Sequence, residues 1–155
     1  MKRKFNITGS CNPELHYMAD ISEKIDQIVK LIEDRSYFTI NRPHQYGKTT
    51  IQFELAQRIN QWDDSIALNI SFEEIDYEIY QSKKSFINTF LKILAESFES
   101  YSYNDLSDLA NEQVNKTENF QSLSSFIGTL VQKSKKNIIL IMTSMTIKNK
   151  KANPI

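Results

Sequence analysis

The stretch Ile40–Gln52, INRPHQYGKTTIQ, decides the expected fold of this chain. Its second half contains Gly47-Lys48-Thr49, which matches the end of the phosphate-binding pattern G-x-x-x-x-G-K-[ST]. Arg42 stands where that pattern begins with glycine. In such a loop the backbone N–H groups, and those of the helix that follows, form a concavity that suits phosphate oxygens. The stretch therefore predicts a phosphate site. Arg42 is the one residue that differs from the phosphate-binding pattern.

The residues on either side of this loop predict a strand before it and a helix after it. Tyr37–Ile40 is β-branched and aromatic, which is typical of a buried strand. Ile51, Leu55 and Ile59 recur at helical spacing and predict a helix from about residue 48 to 61. A bare G-K-T is more often only a helix start, but a strand before it and a helix after it favour phosphate binding.

Helical and strand patterns alternate along the rest of the chain. The predicted elements are a helix from about residue 20 to 34, a strand over 65–72, helices near 86–98, 106–114 and 120–131, and a strand over 138–142. Such alternation predicts βαβ units and a mainly parallel sheet, hence an α/β fold.

Composition and charge exclude several classes of protein. The chain has 155 residues, with 19 basic and 19 acidic side chains, so it carries no basic excess for general nucleic-acid binding. No apolar run approaches the ~18 residues of a membrane span. Cys11 is the lone cysteine, which suits a reducing compartment. We therefore expect a cytoplasmic protein with no membrane contact and no clear nucleic-acid signal.

The chemistry expected of the loop follows from its residue types. Gly47 lets the backbone approach the phosphates closely, and Lys48 reaches them as a mobile cation. The Thr49 hydroxyl is the candidate ligand of Mg²⁺. His44 and Gln45 lie at the loop tip, where they could meet phosphate or face water, and the second interpretation is favoured.

A family resemblance rests on the quoted loop and the residues that precede it. The stretch KFNITGSCNPELHYMADISEKIDQIVKLIEDRSYFTINRPHQYGKTT resembles the N-terminal half of a family of bacterial AAA-like P-loop ATPases, over about residues 2–75. That family carries a related N-R-P-x-Q-Y-G-K-T-T loop, so Arg42 follows the family pattern. The resemblance implies a P-loop three-layer sandwich, incomplete at the C-terminus, and ATP and Mg²⁺ as cofactors. The nucleotide-binding residues it implies are Arg42, Pro43, His44, Gln45, Tyr46, Gly47, Lys48, Thr49 and Thr50.

Two further groups of residues acquire candidate roles from this resemblance. In SFEEI, residues 71–75, Glu73 or Glu74 could position water or metal, although surface carboxylates are the favoured interpretation. Tyr17 and His16 precede the first helix, where adenine lies in many such ATPases. A core aromatic is favoured there.

The acidic half of the expected site is missing. Hydrolysis needs an Asp that supports Mg²⁺ and often a Glu that activates water, and in this family the strand 138–142 should be followed by D-E-x-D. The chain reads Met142-Thr143-Ser144-Met145-Thr146 there, and no Asp or Glu follows Glu118. We therefore expect weak Mg·ATP binding and negligible turnover, although the family resembled hydrolyses ATP.

The codons of residues 142–146 suggest why the acidic residues are missing. Met is ATG and Thr is ACN, so Met142-Thr143 and Met145-Thr146 each contain GAC, an Asp codon, in a shifted frame. With ACG for Thr143 and AGT for Ser144, that frame reads Asp-Glu-Tyr-Asp. A one-base deletion, natural or a sequencing error, is the favoured explanation, with an early stop accounting for the short length. Coincidence in a divergent end is the alternative.

These observations divide the chain into three parts and leave two functions open. We expect an irregular lead-in over residues 1–19, the N-terminal part of an AAA-like ATPase domain over 20–142, and a disordered or out-of-frame tail over 143–155. The favoured function is ATP binding. The alternative is a non-catalytic interaction or signalling fragment, in which exposed apolar surface binds a protein partner or a second copy. A P-loop kinase is disfavoured because no second phosphoacceptor site and lid are evident, and a GTPase because the guanine-reading N-K-x-D is absent.

Overall fold

The computed structural model describes residues 21–39, 48–73 and 75–143. The chain divides into two compact units, Met1–Asp63 and Asp64–Ile155. None of the helices in the described ranges is long and apolar enough to cross a membrane.

The first unit contains two described helices, α1 (Ser22–Glu33) and α2 (Lys48–Ile59), which pack against each other. Both carry apolar residues at helical spacing, and these are buried: Ile25, Ile28 and Val29 in α1, and Ile51, Leu55, Ala56 and Ile59 in α2. Both helices were predicted, and the structure confirms them. Ile21 occupies the N-cap position of α1, and its side chain makes no capping hydrogen bond.

The strand predicted just before the loop is absent from the part of it that the structure describes. Residues 36–39 have no regular secondary structure, and the Tyr37 side chain is fully exposed. Aromatic and β-branched residues favour a strand only where a neighbouring strand and a packed face accept them. The prediction is therefore wrong for Tyr37–Thr39, while Ile40 lies outside the described residues.

The second unit combines two strands with helices placed between them in the chain. Its elements, in order, are β1 (Ser65–Ser71), a 3-10 helix (Tyr77–Gln81), α3 (Lys83–Ser100), α4 (Asn104–Gln113), α5 (Phe120–Ser134) and β2 (Asn137–Thr143). Each of these strands and α-helices was predicted, with ends that differ by a few residues. The helical connection lets β1 and β2 run parallel, since parallel neighbours need a long crossover.

The two strands pair in register over their whole length. Ser65 lies opposite Asn137 at one end, and Ser71 lies opposite Thr143 at the other. Asn137 N donates to Asp64 O at 2.8 Å, and Phe72 N donates to Thr143 O at 3.2 Å. The carboxyl ends of the strands therefore meet at one edge of the sheet.

The core of this unit forms on one face of the strands. Side chains alternate between faces along a strand, so Ile66, Leu68 and Ile70 share one face of β1. They cluster with residues from all three helices: Phe90, Leu94, Phe98, Leu106 and Leu130. Leu123, Phe126 and Ile127 of α5 pack against this cluster but stay half-buried. The apolar face of α5 is therefore only partly covered.

The predicted P-loop three-layer sandwich with a mainly parallel sheet is wrong for the described residues. Helices make up about 63% of them, and the sheet has two strands. All the regular elements described between β1 and β2 are helices. Tyr37–Thr39, predicted as a strand, has no regular structure. The order of strands and α-helices from β1 to β2 was correctly predicted, but the strand before α2 is absent over Tyr37–Thr39 and the number of strands that pair was overestimated.

Side-chain caps and left-handed residues set the ends of the helices in this unit. The side chains of Ser82 and Asn119 accept from the backbone N–H groups of Ser85 and Ser122, at 3.3 and 2.9 Å, and so cap α3 and α5. Lys135 ends α5 in the left-handed region, with φ at 53°. Lys135 and Lys136 thus separate α5 from β2.

Candidate functional site

The described part of the predicted phosphate site is the beginning of α2. Lys48, Thr49 and Thr50 are its first three residues, with Thr49 exposed and Thr50 half-buried. The first N–H groups of a helix have no partner within the helix, and its dipole favours anions there. The first turn of α2 contains no acidic residue that would oppose an anion.

The other residues predicted to contact nucleotide lie outside the part of the chain that the structure describes. Residues 40–47, which include Arg42, Pro43, His44, Gln45, Tyr46 and Gly47, lie outside the described residues. So do the side chain of Lys48, the carboxylate candidate Glu74, and the lead-in with His16 and Tyr17.

Glu73 follows the carboxyl end of β1. Its side chain is exposed, and its backbone N–H donates to Ser71 Oγ at 3.3 Å in a tight turn. This turn lies between β1 and the 3-10 helix in the chain. Glu73 is thus a solvent-exposed carboxylate within the second unit.

The carboxyl ends of β1 and β2 carry hydroxyl side chains, whereas the D-E-x-D expected after the second strand would place carboxylates there. Ser71 and Thr143 lie opposite each other, and Thr143 Oγ1 donates to Ile70 O at 3.4 Å. The strand predicted over 138–142 is confirmed as β2, which also includes Thr143. Residues 144–155, which hold most of the predicted tail, lie outside the described residues.

A cavity of about 750 Å³ lies between β1, the 3-10 helix and α3. Its lining mixes polar side chains, among them Ser71, Asp76, Glu96 and Tyr101, with the apolar side chains of three isoleucines, Ile75, Ile79 and Ile93. Both carboxylates are exposed to solvent. The cavity is therefore an open groove within the second unit, with a mixed polar and apolar lining.

Asn69 is the feature of this groove that the sequence analysis missed. Its side-chain Nδ2 donates to Tyr101 Oη at 3.3 Å, and its backbone carbonyl accepts from Ser97 Oγ at 3.2 Å. Its Oδ1 is buried and has no hydrogen-bond partner among the described residues. Asparagine is depleted in strands, so an Asn within the apolar run SIALNIS was the available signal.

Aromatic rings form a second cluster beyond the end of β1. Phe72 stacks on Phe86 and Phe90, with ring centroids 5.9 and 6.4 Å apart. Phe86 also contacts Tyr80 and Phe120, and the Phe120 side chain is half exposed. Such contacts add to the burial of apolar area. The cluster joins the N-termini of α3 and α5 to the strand end.

A smaller cavity in the first unit lies between α1 and α2. Its volume is about 300 Å³, and its lining includes Ser22, Glu54, Gln57 and Gln61. Arg58, also at its edge, pairs with Asp26 at 2.6 Å, and both side chains are about half exposed. A surface ion pair of this kind contributes about 0–1 kcal/mol.

Comparison with protein families, curated proteins and solved structures finds no match to this chain. Among the residues that the structure describes, no group of three or more His, Cys, Asp or Glu side chains is placed to hold a metal ion. The functional assignment therefore rests on the loop motif and on the element that follows it.

Proposed function

We propose that this chain is a nucleotide-binding core of the AAA-like type and that it binds Mg·ATP through residues 42–50. The observation that supports this most directly is that Lys48 and Thr49 of the motif belong to α2, a helix described over Lys48–Ile59. A helix that directly follows a phosphate-binding loop offers the loop's ligand its first N–H groups, which have no partner within the helix.

Each residue of the motif has a distinct role in this proposal. The Lys48 ammonium group neutralises the terminal phosphates, and the Thr49 hydroxyl is a ligand of Mg²⁺. Thr49 is exposed in the first turn of α2, which supports its access to a bound ion. Gly47 lets the backbone approach the phosphates without a side chain between them. Arg42 and Pro43 shape the beginning of the loop, where Pro43 restricts φ.

The same proposal assigns the chain slow or no hydrolysis. Phosphoryl transfer requires a carboxylate that supports Mg²⁺ and a group that orients the attacking water. Every residue after Glu118 lacks a carboxylate side chain, and β2 ends in Thr143. Bound ATP would therefore remain intact, so the chain would act as a nucleotide-dependent binding module. A lone cysteine at position 11 supports a location in the reducing cytoplasm.

The alternative function is a non-catalytic interaction fragment that does not use nucleotide. The half-covered apolar face of α5 favours it, because exposed apolar surface marks interaction sites. ATP affinity separates the two functions, since the interaction fragment predicts no dependence of ATP binding on Lys48. The deciding comparison is between the unaltered chain and the Lys48→Ala variant.

A further inference from the structure

β2 is an edge strand whose outer side has no hydrogen-bonded neighbour among the described residues. Its partner β1 lies on one side only, and the described sheet contains no third strand. An unpaired edge presents a row of N–H and C=O groups that can pair with a further strand.

The register identifies which backbone groups of β2 point outward. Asn137 N and Thr143 O bond to β1, and backbone groups alternate in direction along a strand. Asn137, Ile139, Ile141 and Thr143 therefore face β1. Ile138, Leu140 and Met142 are the outward residues, and each offers one N–H and one C=O.

The side chains along this edge are apolar and partly exposed. β2 reads NIILIMT, with no charge, glycine or proline. Ile138 through Ile141 are only half-buried, and Met142 is 58% exposed. Natural edge strands usually carry a charge, a proline or a bulge that prevents pairing. β2 has an uncharged sequence without such a block.

We propose that two copies of this chain associate by antiparallel pairing of β2 with β2, around a two-fold axis at Leu140. A closed two-fold dimer requires the two copies of the strand to run in opposite directions. With Leu140 opposite Leu140, Ile138 of each copy lies opposite Met142 of the other. Each of the three opposed pairs then exchanges two hydrogen bonds, so every outward backbone group of β2 is paired.

A second copy suits this edge because the strand complements itself. The outward residues occur at intervals of two around Leu140, so reversing the strand superimposes one outward set on the other. The apolar residues meet apolar residues, and Asn137 meets Thr143 at each end without opposing charges. A charged partner strand would meet no counter-charge within β2. This inference goes beyond nucleotide binding and does not depend on it.

Sedimentation of the full chain over a range of concentrations tests the dimer. We expect a monomer–dimer equilibrium that Met142→Lys shifts toward the monomer, with about a tenfold rise in the dimerisation Kd, because two symmetry-related pairs change. Met142→Leu, the matched control, should leave the equilibrium unchanged. Circular dichroism of both variants checks that the exposed substitutions preserve the fold.

Amide hydrogen exchange identifies which surface forms the dimer. The N–H groups of Ile138, Leu140 and Met142 should gain protection as concentration rises, while those of Ile139 and Ile141 are already protected by β1. The proposal is overturned by a monomer at all concentrations. It is equally overturned by a dimer that leaves these three amides unprotected, or by one that Met142→Lys does not weaken.

Discussion

Ser71 and Thr143 lie directly opposite each other at the carboxyl ends of two parallel strands. The pairing continues to the last residue of β2, because Phe72 N donates to Thr143 O at 3.2 Å. In open parallel sheets, ligand-binding side chains gather beyond the carboxyl ends of the strands. A carboxylate at position 143 would therefore lie at such an edge, whereas the chain carries a threonine there.

The nucleotide sequence of the gene tests why that position is a threonine. We predict ACG for Thr143 and AGT for Ser144, so that the shifted frame reads Asp-Glu-Tyr-Asp from the position of Thr143 onward. That frame should then stay open well past codon 155. Sequencing the gene from its source DNA is the measurement. Other codons at these positions, or a stop soon after them in the shifted frame, would remove the frameshift explanation.

Leu130 carries more of the stability of the second unit than its neighbour Val131. Leu130 is 1% exposed within the core cluster, and Val131 is 40% exposed on the same helix. Leu130→Ala should lower the free energy of unfolding by about 2–5 kcal/mol, because it removes buried methyl groups and leaves a cavity. Val131→Ala should cost less than about 1 kcal/mol. Urea denaturation of the two variants compares them, and equal losses would contradict the packing of α5 described above.

The N-terminus of α5 depends on the side chain of Asn119. Its Oδ1 accepts from Ser122 N at 2.9 Å and from Ser122 Oγ at 3.0 Å. Asn119→Ala should destabilise the unit by about 1 kcal/mol, whereas Asn119→Ser should retain most of the stability, because serine also caps helices. Thermal unfolding followed by circular dichroism distinguishes the two variants. No difference between them would mean that the cap contributes nothing.

The C-terminus of α5 contains a residue whose backbone favours glycine. Lys135 has φ at 53°, where an L side chain crowds the backbone. Lys135→Gly should therefore raise the free energy of unfolding by about 0.5–1 kcal/mol. Lys133→Gly, in the last turn of the same helix, should lower it by about 1 kcal/mol. Urea denaturation measures both, and a loss of stability in Lys135→Gly would argue against the left-handed cap.

Local patterns along the chain predicted most of the helices and both observed strands. Phe90, Leu94 and Phe98 recur at helical spacing and are buried in the core cluster, so α3 could be located from the sequence. Ile138–Met142 is apolar, short and bounded by a lysine turn, which located β2.

The number of paired strands could not be predicted in the same way. Pairing joins residues far apart in the chain, as in the register of Ser71 with Thr143, and apolar content does not specify the neighbour. Tyr37–Thr39 has the composition of a strand but no regular structure. The role of Asn69 could not be predicted for a related reason. Its hydrogen bonds join it to Ser97 and Tyr101, which are distant in sequence.

The candidate phosphate site was predictable only as a motif. Gly47-Lys48-Thr49 is a continuous pattern, so the sequence can specify it, and the structure adds that Lys48 and Thr49 belong to α2. The carboxylates that complete a phosphate-binding motif come from the end of a distant strand. Their absence here shows only when the residues after the strand 138–142 are compared with the expected D-E-x-D. The proposed ATP binding therefore rests on this motif, in which Lys48 is the residue expected to neutralise the phosphates.

ATP affinity, measured by calorimetry with Mg²⁺ present, tests that claim most directly. Lys48→Ala should weaken binding about ten- to hundredfold, because a hydrogen bond to a charged group contributes roughly 1.5–3 kcal/mol. Lys30→Ala, which removes the same charge from an exposed position in α1, should bind ATP like the unaltered chain. Equal affinities for the unaltered chain and Lys48→Ala, or no ATP binding by the unaltered chain, would contradict the proposed phosphate site.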